Sequence, residues 1–312
     1  MSETVSAFID AMQLAGIRPL EPIAHKLVTG QPVRFRAEGD KPGRRNGWAV
    51  LHLDGVPAGV FRHYRLGIRS IWRAGSDPRT LSPAERRAIM AKAHEAEARR
   101  KAETRAKQDA AAKQAHAIWA AASRADPTHG YLAAKGLVPF GIRQSGAALL
   151  VPMFDPAFGL WNLQRIAPDG RKLFLPGGRI DGLFWPHAMH LADGRTSPGP
   201  LVIGEGFATV AAIHEATGHA VAAAMSARNV EPVARAMRGL FPARQIVIAA
   251  DDDCHLAENM GLRLARKAAE SIGGLLAIPR PETSRGNSGA DFADLRRAEA
   301  AAIIAATLQG KA

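Results

Sequence analysis

The sequence predicts an α/β protein with four parts in chain order. Three observations support this fold class. Short apolar runs alternate with helical patterns after Pro200, an Ala-rich charged stretch lies in the middle of the chain, and short extended runs separated by Gly and Pro turns precede each of these regions. The predicted parts are a small basic N-terminal module built on an antiparallel sheet (1–78), a helical spacer (79–126), a small basic mixed α+β subdomain (127–198), and a parallel sheet with flanking helices (199–312).

The N-terminal module starts with apolar residues at helical spacing over residues 5–17. Residues 32–38 then alternate, with apolar side chains set against Arg34 and Arg36, which is typical of a strand with one buried face. Further extended runs follow at 48–53, 56–61 and 69–73. These short runs predict a small antiparallel sheet.

The spacer begins at a clear helix-start signal. In the segment Ser82-Pro83-Ala84-Glu85, Ser can act as the N-cap, Pro suits the first helical position, and Glu closes a capping box. The charged run continues to about Ser123 and stops at Asp126-Pro127. An unbroken helix of this extent would reach ~60 Å at ~1.5 Å per residue, which favours a spacer over a core element.

Composition and charge exclude several classes. A single cysteine, Cys254, rules out an intrachain disulfide or a zinc ribbon within these residues, and no apolar run is long enough to span a membrane. With no signal-peptide pattern at the start, we expect a cytoplasmic protein. The formal net charge is +12. Almost all of this charge lies in the first 150 residues, and it favours a polyanionic partner such as nucleic acid.

Residues 32–73 combine this basic charge with aromatic side chains. Single-strand binding needs both, because cations follow the phosphates while aromatic faces stack on bases. Most of these aromatics could equally form the core of the small sheet. The candidates for contacts to single-stranded DNA are Arg34, Arg36, Arg44, Arg45 and Trp48.

Beyond Pro200, apolar runs without alternation predict parallel strands buried on both faces. Ligands of such sheets bind beyond the carboxyl ends of the strands. Glu205 follows the first run between two glycines, and Asp251, Asp252 and Asp253 follow the third. At ~4 Å and an effective dielectric constant of ~20, two like charges repel by about 4 kcal/mol, so we expect a cation there. Glu205, Asp251 and Asp253 suit Mg²⁺ or Mn²⁺.

The aspartates are also compatible with two other roles. The three residues could be an N-cap cluster for the helical pattern at 256–272, because carboxylates are stabilised at helix N-termini. A HAD-type phosphatase also places Asp-x-Asp after a strand, with the first Asp as nucleophile. Such enzymes typically carry Thr or Val two residues after the second Asp, where this chain has His255.

The segments around the carboxylates resemble a known domain. They are Gly204-Glu205-Gly206-Phe207-Ala208-Thr209, Ala224-Met225-Ser226-Ala227-Arg228-Asn229 and Ala250-Asp251-Asp252-Asp253. These segments are similar to the Toprim domain of bacterial-type primases, topoisomerases and some nucleases, and look like plasmid- and phage-encoded primases, over about residues 199 to 295. Thr209 stands where chromosomal DnaG-type primases usually carry Asp. The segment Gly289-Ala290-Asp291-Phe292-Ala293-Asp294-Leu295 resembles the acidic end motif, so Asp291 or Asp294 is expected to reach the metal or to cap the last helix.

Upstream, the segment Tyr131-Leu132-Ala133-Ala134-Lys135-Gly136-Leu137 resembles the sequence motif at the start of the catalytic core of DnaG-like primases. The runs that follow look like its basic subdomain. The resemblance implies that Lys135, Arg165 and Lys172 contact phosphates of template or nucleotide. Ser226 and Asn229, after the second strand, are expected to contact nucleotide.

The resemblance implies a DNA primase without a zinc ribbon. Such an enzyme makes short RNA primers on single-stranded DNA from nucleoside triphosphates, with Mg²⁺ or Mn²⁺ and no zinc, in plasmid, phage or mobile-element replication. These residues contain no P-loop phrase, so a replicative helicase would be a separate partner. The alternatives are a Toprim-type metal-dependent nuclease or phosphohydrolase, and a non-catalytic accessory protein that binds single-stranded DNA.

Overall fold

A computed structural model describes residues 3–75, 83–189, 198–253, 259–279 and 290–310. The contacts divide the chain into two compact units, Met1–Glu103 and Thr104–Ala312. The finer division into four parts stays a prediction. Ser82 of the helix-start signal, Cys254, His255 and Gly289 lie outside the described residues.

The first unit is built on a four-stranded antiparallel sheet whose strands pair in sequence order. It opens with helix α1 (Glu3–Leu14), and the strands are β1 (Pro32–Phe35), β2 (Gly47–His52), β3 (Ala58–His63) and β4 (Ile68–Arg73). The alternation predicted for residues 32–38 is present, because Val33 and Phe35 are buried while Arg34 is exposed.

Helix α1 covers the apolar face of this sheet. The ring of Phe8 lies 5.7 Å from that of Phe61 and 5.3 Å from that of Trp72, both edge-on. Phe35 is also fully buried in this cluster. The sequence left undecided which aromatic residues form the core and which contact DNA. Three of them are core residues, namely Phe35, Phe61 and Trp72, whereas Trp48 and Tyr64 lie outside the cluster.

A buried polar cluster fixes the loop between β1 and β2. Asp40 accepts hydrogen bonds from the backbone N–H of Ala37 (3.0 Å) and from the backbone and side-chain nitrogens of Asn46 (3.2 and 2.6 Å). His63 Nε2 lies 3.2 Å from Asp40 Oδ1, and the backbone N–H of Leu66 donates to His63 Nδ1. Burial alone would raise the pKa of Asp40, but the bonds from Asn46 and Ala37 and the nearby His63 hold it below its usual value.

We expect Asp40→Ala to destabilise the first unit by about 3–5 kcal/mol, since it leaves the buried partners of the carboxylate unpaired. Hydrogen exchange over residues 32–63 measures this loss. A lowered folded-state pKa stabilises the fold above the ordinary value of 3.8, so the difference between wild type and variant should shrink as the pH falls below it. Glu38→Ala removes only an exposed pair with Arg18 at 3.7 Å and is the control. Equal exchange in both variants would contradict the role of Asp40.

Helix α2 (Pro83–Ala121) is a single helix of 39 residues. The sequence predicted a helical spacer here and left open whether the helix is unbroken. Its charged composition gives no apolar face over most of its length. Among its described side chains, Ala111 and Ala115 are buried, and both lie in the second unit, where Ala115 packs beside Leu150 and Leu163. No helix among the described residues is both long and apolar enough to cross a membrane.

The second unit begins with an antiparallel sheet. Its strand order is β5 (Ser123–Arg124), β6 (Arg143–Ser145), β7 (Ala148–Phe154), β8 (Leu160–Ile166) and β9 (Lys172–Phe174). A short helix α3 (Gly130–Lys135) lies between β5 and β6 in the chain, and it ends at Gly136 in the left-handed conformation. This part overlaps the mixed α+β region predicted at 127–198, although β5 precedes that range and residues 185–187 belong to the other sheet.

The rest of the second unit is a five-stranded sheet with helices on both faces. The strands are β10 (Trp185–His187), β11 (Leu201–Gly204), β12 (Ala220–Ala223), β13 (Ile246–Ala249) and β14 (Leu275–Ala277). Their order is β10-β12-β11-β13-β14, and all neighbours are parallel except β10 and β12. The helices are α4 (Phe207–Thr217), α5 (Val230–Leu240), α6 (Met260–Ile272) and α7 (Arg297–Leu308).

Successive side chains of the central strands enter two different cores. Val202 and Val247 pack in the cluster that contains α4 and α7 residues, whereas Ile203 and Ile248 pack in the cluster with α5 and α6. Every residue of β11, β12 and β13 is buried for this reason. The predicted fold class is therefore confirmed. The sequence did not predict β10, a short edge strand that contains Pro186.

Candidate active site

The two acidic segments meet at one edge of the parallel sheet. The chain runs from β11 to β12 on one side and then to β13 on the other, so the order reverses around β11. Gly204 and Ala249, the last residues of β11 and β13, are register partners. Glu205 and Asp251 follow directly beyond them, and both line a cavity of about 620 Å³.

Asp251 has the most perturbed carboxyl group in this cavity. Burial is the main cause, and the charges of Glu205, Asp291 and Asp253 add to it, so that its pKa rises to about 8. The Thr209 hydroxyl donates a hydrogen bond to Asp251 Oδ1 at 3.3 Å and acts in the opposite direction. An ionised Asp251 is therefore costly in the absence of a cation.

The pKa of Glu205 is also raised. Burial comes first and the charge of Asp253 second, while the backbone N–H of Ala227 and the ammonium of Lys172 lower the pKa of Glu205. Asp253 does not line the cavity, yet its charge raises the pKa values of Glu205 and Asp251, which do. The three carboxylates predicted from the sequence thus influence one another, and two of them face the cavity.

Asp291 joins this site through a backbone bridge. Asp252 and Ala290 exchange two hydrogen bonds of 2.9 and 3.0 Å, which brings the next residue, Asp291, to the cavity wall. Asp294 accepts the Asp291 backbone N–H at 3.1 Å and pairs with Lys135 at 2.6 Å. Of the two aspartates proposed from the end motif, Asp291 therefore lines the cavity.

The interpretation of the aspartates as an N-cap cluster of α6 is wrong. The residue that caps α6 is Asn259, whose side chain accepts the Leu262 backbone N–H at 3.2 Å. The helix also approaches the aspartates closely at Gly261. A Cβ atom there would stand 2.5 Å from the Asp251 carbonyl oxygen.

The two glycines beside Glu205 have different roles. Gly204 is buried, and a Cβ atom at this position would lie 2.8 Å from Val210 of α4. The absence of a side chain here allows α4 to pack closely on β11. Gly204 therefore serves packing and does not open the backbone to a ligand. Gly206 lines the cavity, and its Cβ position is 3.8 Å from the Thr209 hydroxyl.

Two lysines line the same cavity as these carboxylates. Lys135 ends helix α3 and Lys172 begins strand β9. Lys135 forms ion pairs with Asp294 at 2.6 Å and Asp291 at 3.6 Å. Burial lowers the pKa of Lys172 most strongly, although Asp291, Asp251 and Glu205 act in the opposite direction. The structure therefore places Lys135 and Lys172 where the sequence predicted cations.

Arg165 is not among the residues lining this cavity. It is exposed in β8, and its neighbour Gln164 is buried and lines the cavity instead. Because successive side chains of a strand point to opposite faces, only one of the two can do so. Arg165 was predicted from the resemblance to a basic subdomain, whereas the alternation of buried and exposed residues along β8 favours Gln164.

The turn after β12 gives its residues unequal roles. Asn229 is buried, donates to the carbonyl oxygens of Leu183 (2.8 Å) and Ala224 (2.7 Å), and accepts the Gly182 N–H at 2.7 Å. Its amide therefore holds the loops together, and its expected contact with nucleotide is not supported.

Ser226, in the same turn, is partly exposed but does not line the cavity. Met225 lines it instead, in a left-handed conformation with φ of 68°. This conformation is uncommon for a residue with a side chain, and the sequence carries no signal for it.

The carboxylates suit a divalent cation that keeps much of its water. In the described part of the chain, no group of three or more His, Cys, Asp or Glu side chains is placed so that it could hold a metal ion by itself. Mg²⁺ needs only one or two carboxylates, with water and phosphate oxygens completing its octahedron. The raised pKa values of Glu205 and Asp251 show that positive charge would be favourable here, so these residues fit such an ion.

A second cationic cluster lies on the sheet of the first unit, on the face opposite its core. Helix α2 covers part of this face, because Trp48, Arg62 and Arg69 line one cavity together with Met90, His94 and Arg100. Arg34, Trp48, Arg62 and Arg69 are successive register partners across β1, β2, β3 and β4. The Arg62 guanidinium stands 4.7 Å from the Trp48 ring centroid and 4.2 Å from that of Tyr64, and Arg34 lies 4.5 Å from the Tyr64 ring. We call Arg34, Trp48, Arg62, Tyr64 and Arg69 the arginine row.

Of the remaining residues predicted to bind DNA, Arg44 and Arg45 are exposed in the loop before β2. The Arg45 carbonyl oxygen accepts a hydrogen bond from Arg34 at 3.5 Å. Arg36 is partly buried and donates to the Asp40 carbonyl oxygen at 3.2 Å. The sequence thus predicted part of the arginine row and left Tyr64 open between a core role and a DNA contact, but it missed Arg62 and Arg69, whose positions depend on strand register.

Comparisons with known proteins agree with this geometry. The Toprim domain family matches residues 200–302. Two proteins of Escherichia coli described as DNA primase TraC are 35% identical over 283 residues and 34% identical over 281 residues, each across 87% of this chain. The chain spans only 26% and 19% of the lengths of these relatives.

Solved structures of primases are similar at low identity. A DnaG primase catalytic domain bound to ssDNA is 13% identical, with a TM-score of 0.44, over 67% of this chain and 80% of that one. The zinc-binding and RNA polymerase domains of the Aquifex aeolicus primase are 12% identical, with a TM-score of 0.43, over 99% of this chain and 86% of that one. Similarities this distant do not establish an activity. On these sequence matches, the chain contains a Toprim domain over residues 200–302 and is similar to DNA primase TraC of Escherichia coli over 87% of its length.

Proposed function

We propose that this protein is a DNA primase that synthesises short RNA primers on single-stranded DNA. The observation that carries the proposal is the cavity in which carboxylates at two parallel strand ends face two lysines. Carboxylates can hold the cation, and lysines can hold the phosphates, that nucleotidyl transfer requires. Sequence similarity to DNA primases over most of the chain supports the same activity.

In the proposed reaction, a hydroxyl oxygen forms a bond to the α-phosphorus of a nucleoside triphosphate and pyrophosphate leaves. Glu205 and Asp251 would hold Mg²⁺ or Mn²⁺, with Asp253 and Asp291 adding negative charge beside them. Such an ion neutralises charge on the phosphates and favours deprotonation of the attacking hydroxyl when it is bound.

The residues on the opposite side of the cavity would position the phosphates. Lys172 lines the cavity and has no ion-pair partner within 4 Å among the described residues. Its ammonium can therefore donate hydrogen bonds to a phosphate oxygen. Lys135 would exchange part of its pairing with Asp291 and Asp294 for phosphate as substrate enters. Thr209 would orient Asp251 through its hydroxyl.

The arginine row is our candidate for the template surface. Its guanidinium groups can follow a phosphate backbone. Those of Arg34 and Arg62 pack against the rings of Trp48 and Tyr64, so a base that stacks on either ring would take the place of a guanidinium group. Exposed Arg44 and Arg45 extend the positive charge at the side of Arg34. We propose that a replicative helicase would be a separate chain, and that the protein acts in the cytoplasm in plasmid, phage or mobile-element replication.

The test is primer synthesis by the full chain on several single-stranded DNA templates. We expect products that depend on nucleoside triphosphates and on Mg²⁺ or Mn²⁺, resolved by length on a gel. Labelled DNA in the same reaction reports a nuclease, which would shorten the template without needing triphosphates. Template cleavage without extension would favour a Toprim nuclease, and binding without either product would favour an accessory protein.

A further inference from the structure

The wall of the cavity includes a buried tyrosine that the proposed mechanism does not use. Tyr131 lines the cavity, yet only 6% of the residue is exposed. Its hydroxyl oxygen is buried and has no hydrogen-bond partner among the residues that the structure describes. Leaving such a group unpaired is unfavourable, because it gives up its bonds to water on folding.

The surroundings of Tyr131 hold its ring in place. Lys172 Nζ lies 5.5 Å from the ring centroid, and the ring approaches the Cβ position of Gly170 to 3.7 Å. The backbone N–H of Tyr131 donates to His129 Nδ1 at 3.3 Å, at the start of α3. A ring fixed in this way presents its hydroxyl in a defined position.

The hydroxyl is a neutral donor at neutral pH. Burial raises the pKa of Tyr131 to about 12, with Asp291 and Asp294 acting in the same direction and Lys135 against them. A protonated phenol can donate one hydrogen bond to an acceptor. Both lysines of the cavity are neighbours of Tyr131, so an anionic group would be attracted to this side of the cavity.

We propose that the Tyr131 hydroxyl binds a non-bridging phosphate oxygen of the substrate, between the two lysines. Phosphate oxygens accept hydrogen bonds only, and they suit a phenol flanked by ammonium groups. The phosphate belongs either to an incoming nucleoside triphosphate or to the backbone of a nucleic acid strand. The assignment rests on the proposed nucleotidyl transfer for its substrate, and on the buried unpaired hydroxyl for its location.

Tyr131→Phe tests this assignment, since it removes the hydroxyl and keeps the ring. Binding to the full-length variant is measured by titration with a nucleoside triphosphate and Mg²⁺ in one arm and with a short single-stranded DNA in the other. We expect a loss of about 10- to 100-fold in affinity in one arm, typical of a hydrogen bond to a charged group. The arm that changes identifies the source of the phosphate, and for triphosphate the KM for extension should rise more than kcat falls.

The stability of the ligand-free protein provides a second readout. Removing an unpaired buried hydroxyl should leave the melting temperature unchanged or raise it. Thr307→Val is the matched control, because Thr307 is buried but its hydroxyl donates to the Ile303 carbonyl oxygen at 2.8 Å. We expect this control to lower the melting temperature and leave both affinities unchanged.

The outcomes separate this inference from the proposed function. Unchanged affinities in both arms for Tyr131→Phe overturn the inference, including the case in which a trapped water pairs with the hydroxyl. A wild-type protein that binds triphosphate but makes no primers overturns the primase activity alone, and the binding arms still decide the role of Tyr131. A wild-type protein that binds neither ligand overturns both.

Discussion

Asp251→Asn should abolish primer synthesis while single-stranded DNA affinity stays within about twofold of wild type. The substitution keeps the shape of the side chain but removes its charge, and with it the main anchor for the divalent cation. A metal ion supplies several kcal/mol of transition-state stabilisation, so we expect a loss of about a thousandfold or more in the rate of synthesis. Gel-resolved extension with nucleoside triphosphates measures this rate, and a filter-binding titration measures the affinity for DNA.

The stability of this variant shows whether the fold survives. Burial and neighbouring carboxylates raise the pKa of Asp251 to about 8, so its ionised form opposes folding. Asp251→Asn should therefore be as stable as wild type or more stable. Glu270→Gln removes an exposed carboxylate from α6 in the same domain and should leave synthesis unchanged. Retained synthesis in Asp251→Asn would refute the assignment of this residue.

The parallel part of the fold could be predicted because its strands are buried on both faces. Continuous apolar runs such as Leu201–Gly204 have no amphipathic alternative, and the helices between them begin and end near the predicted residues. The edge strand β10 escaped prediction because three residues that include Pro186 carry almost no pattern. Its place depends on pairing with β12, which is a contact across more than thirty residues of chain.

The site was predictable where its residues follow strand ends. Glu205 and Asp251 are recognisable because parallel strands bring their carboxyl ends to one edge of the sheet. The opposite side of the cavity depends on tertiary placement. Tyr131 and Gln164 are uncharged and were not predicted as site residues. The packing of α3 brings Tyr131 to the cavity, and the inner face of β8 brings Gln164 there. The resemblance to a basic subdomain favoured Arg165, which lies on the other face of that strand.

The arginine row allows the complementary experiment on DNA binding. Trp48→Ala should weaken binding of single-stranded DNA by about 5- to 150-fold, the range that corresponds to the loss of one stacked base at ~1–3 kcal/mol. The ring stands between Arg34 and Arg62 in the register of the sheet and lies outside the apolar cluster on the opposite face. Fluorescence anisotropy with a labelled oligonucleotide measures the affinity at fixed salt concentration.

Trp48→Phe is the conservative control, because a smaller ring retains a face for stacking and for the Arg62 guanidinium. It should recover most of the affinity. Synthesis by Trp48→Ala should return toward the wild-type rate at saturating template, since the carboxylates and lysines of the cavity are unchanged. Asp251→Asn would then lose synthesis and keep template binding, whereas Trp48→Ala would lose template binding and keep the chemistry. Wild-type affinity in Trp48→Ala, with a lower melting temperature, would instead make Trp48 a packing residue of the sheet.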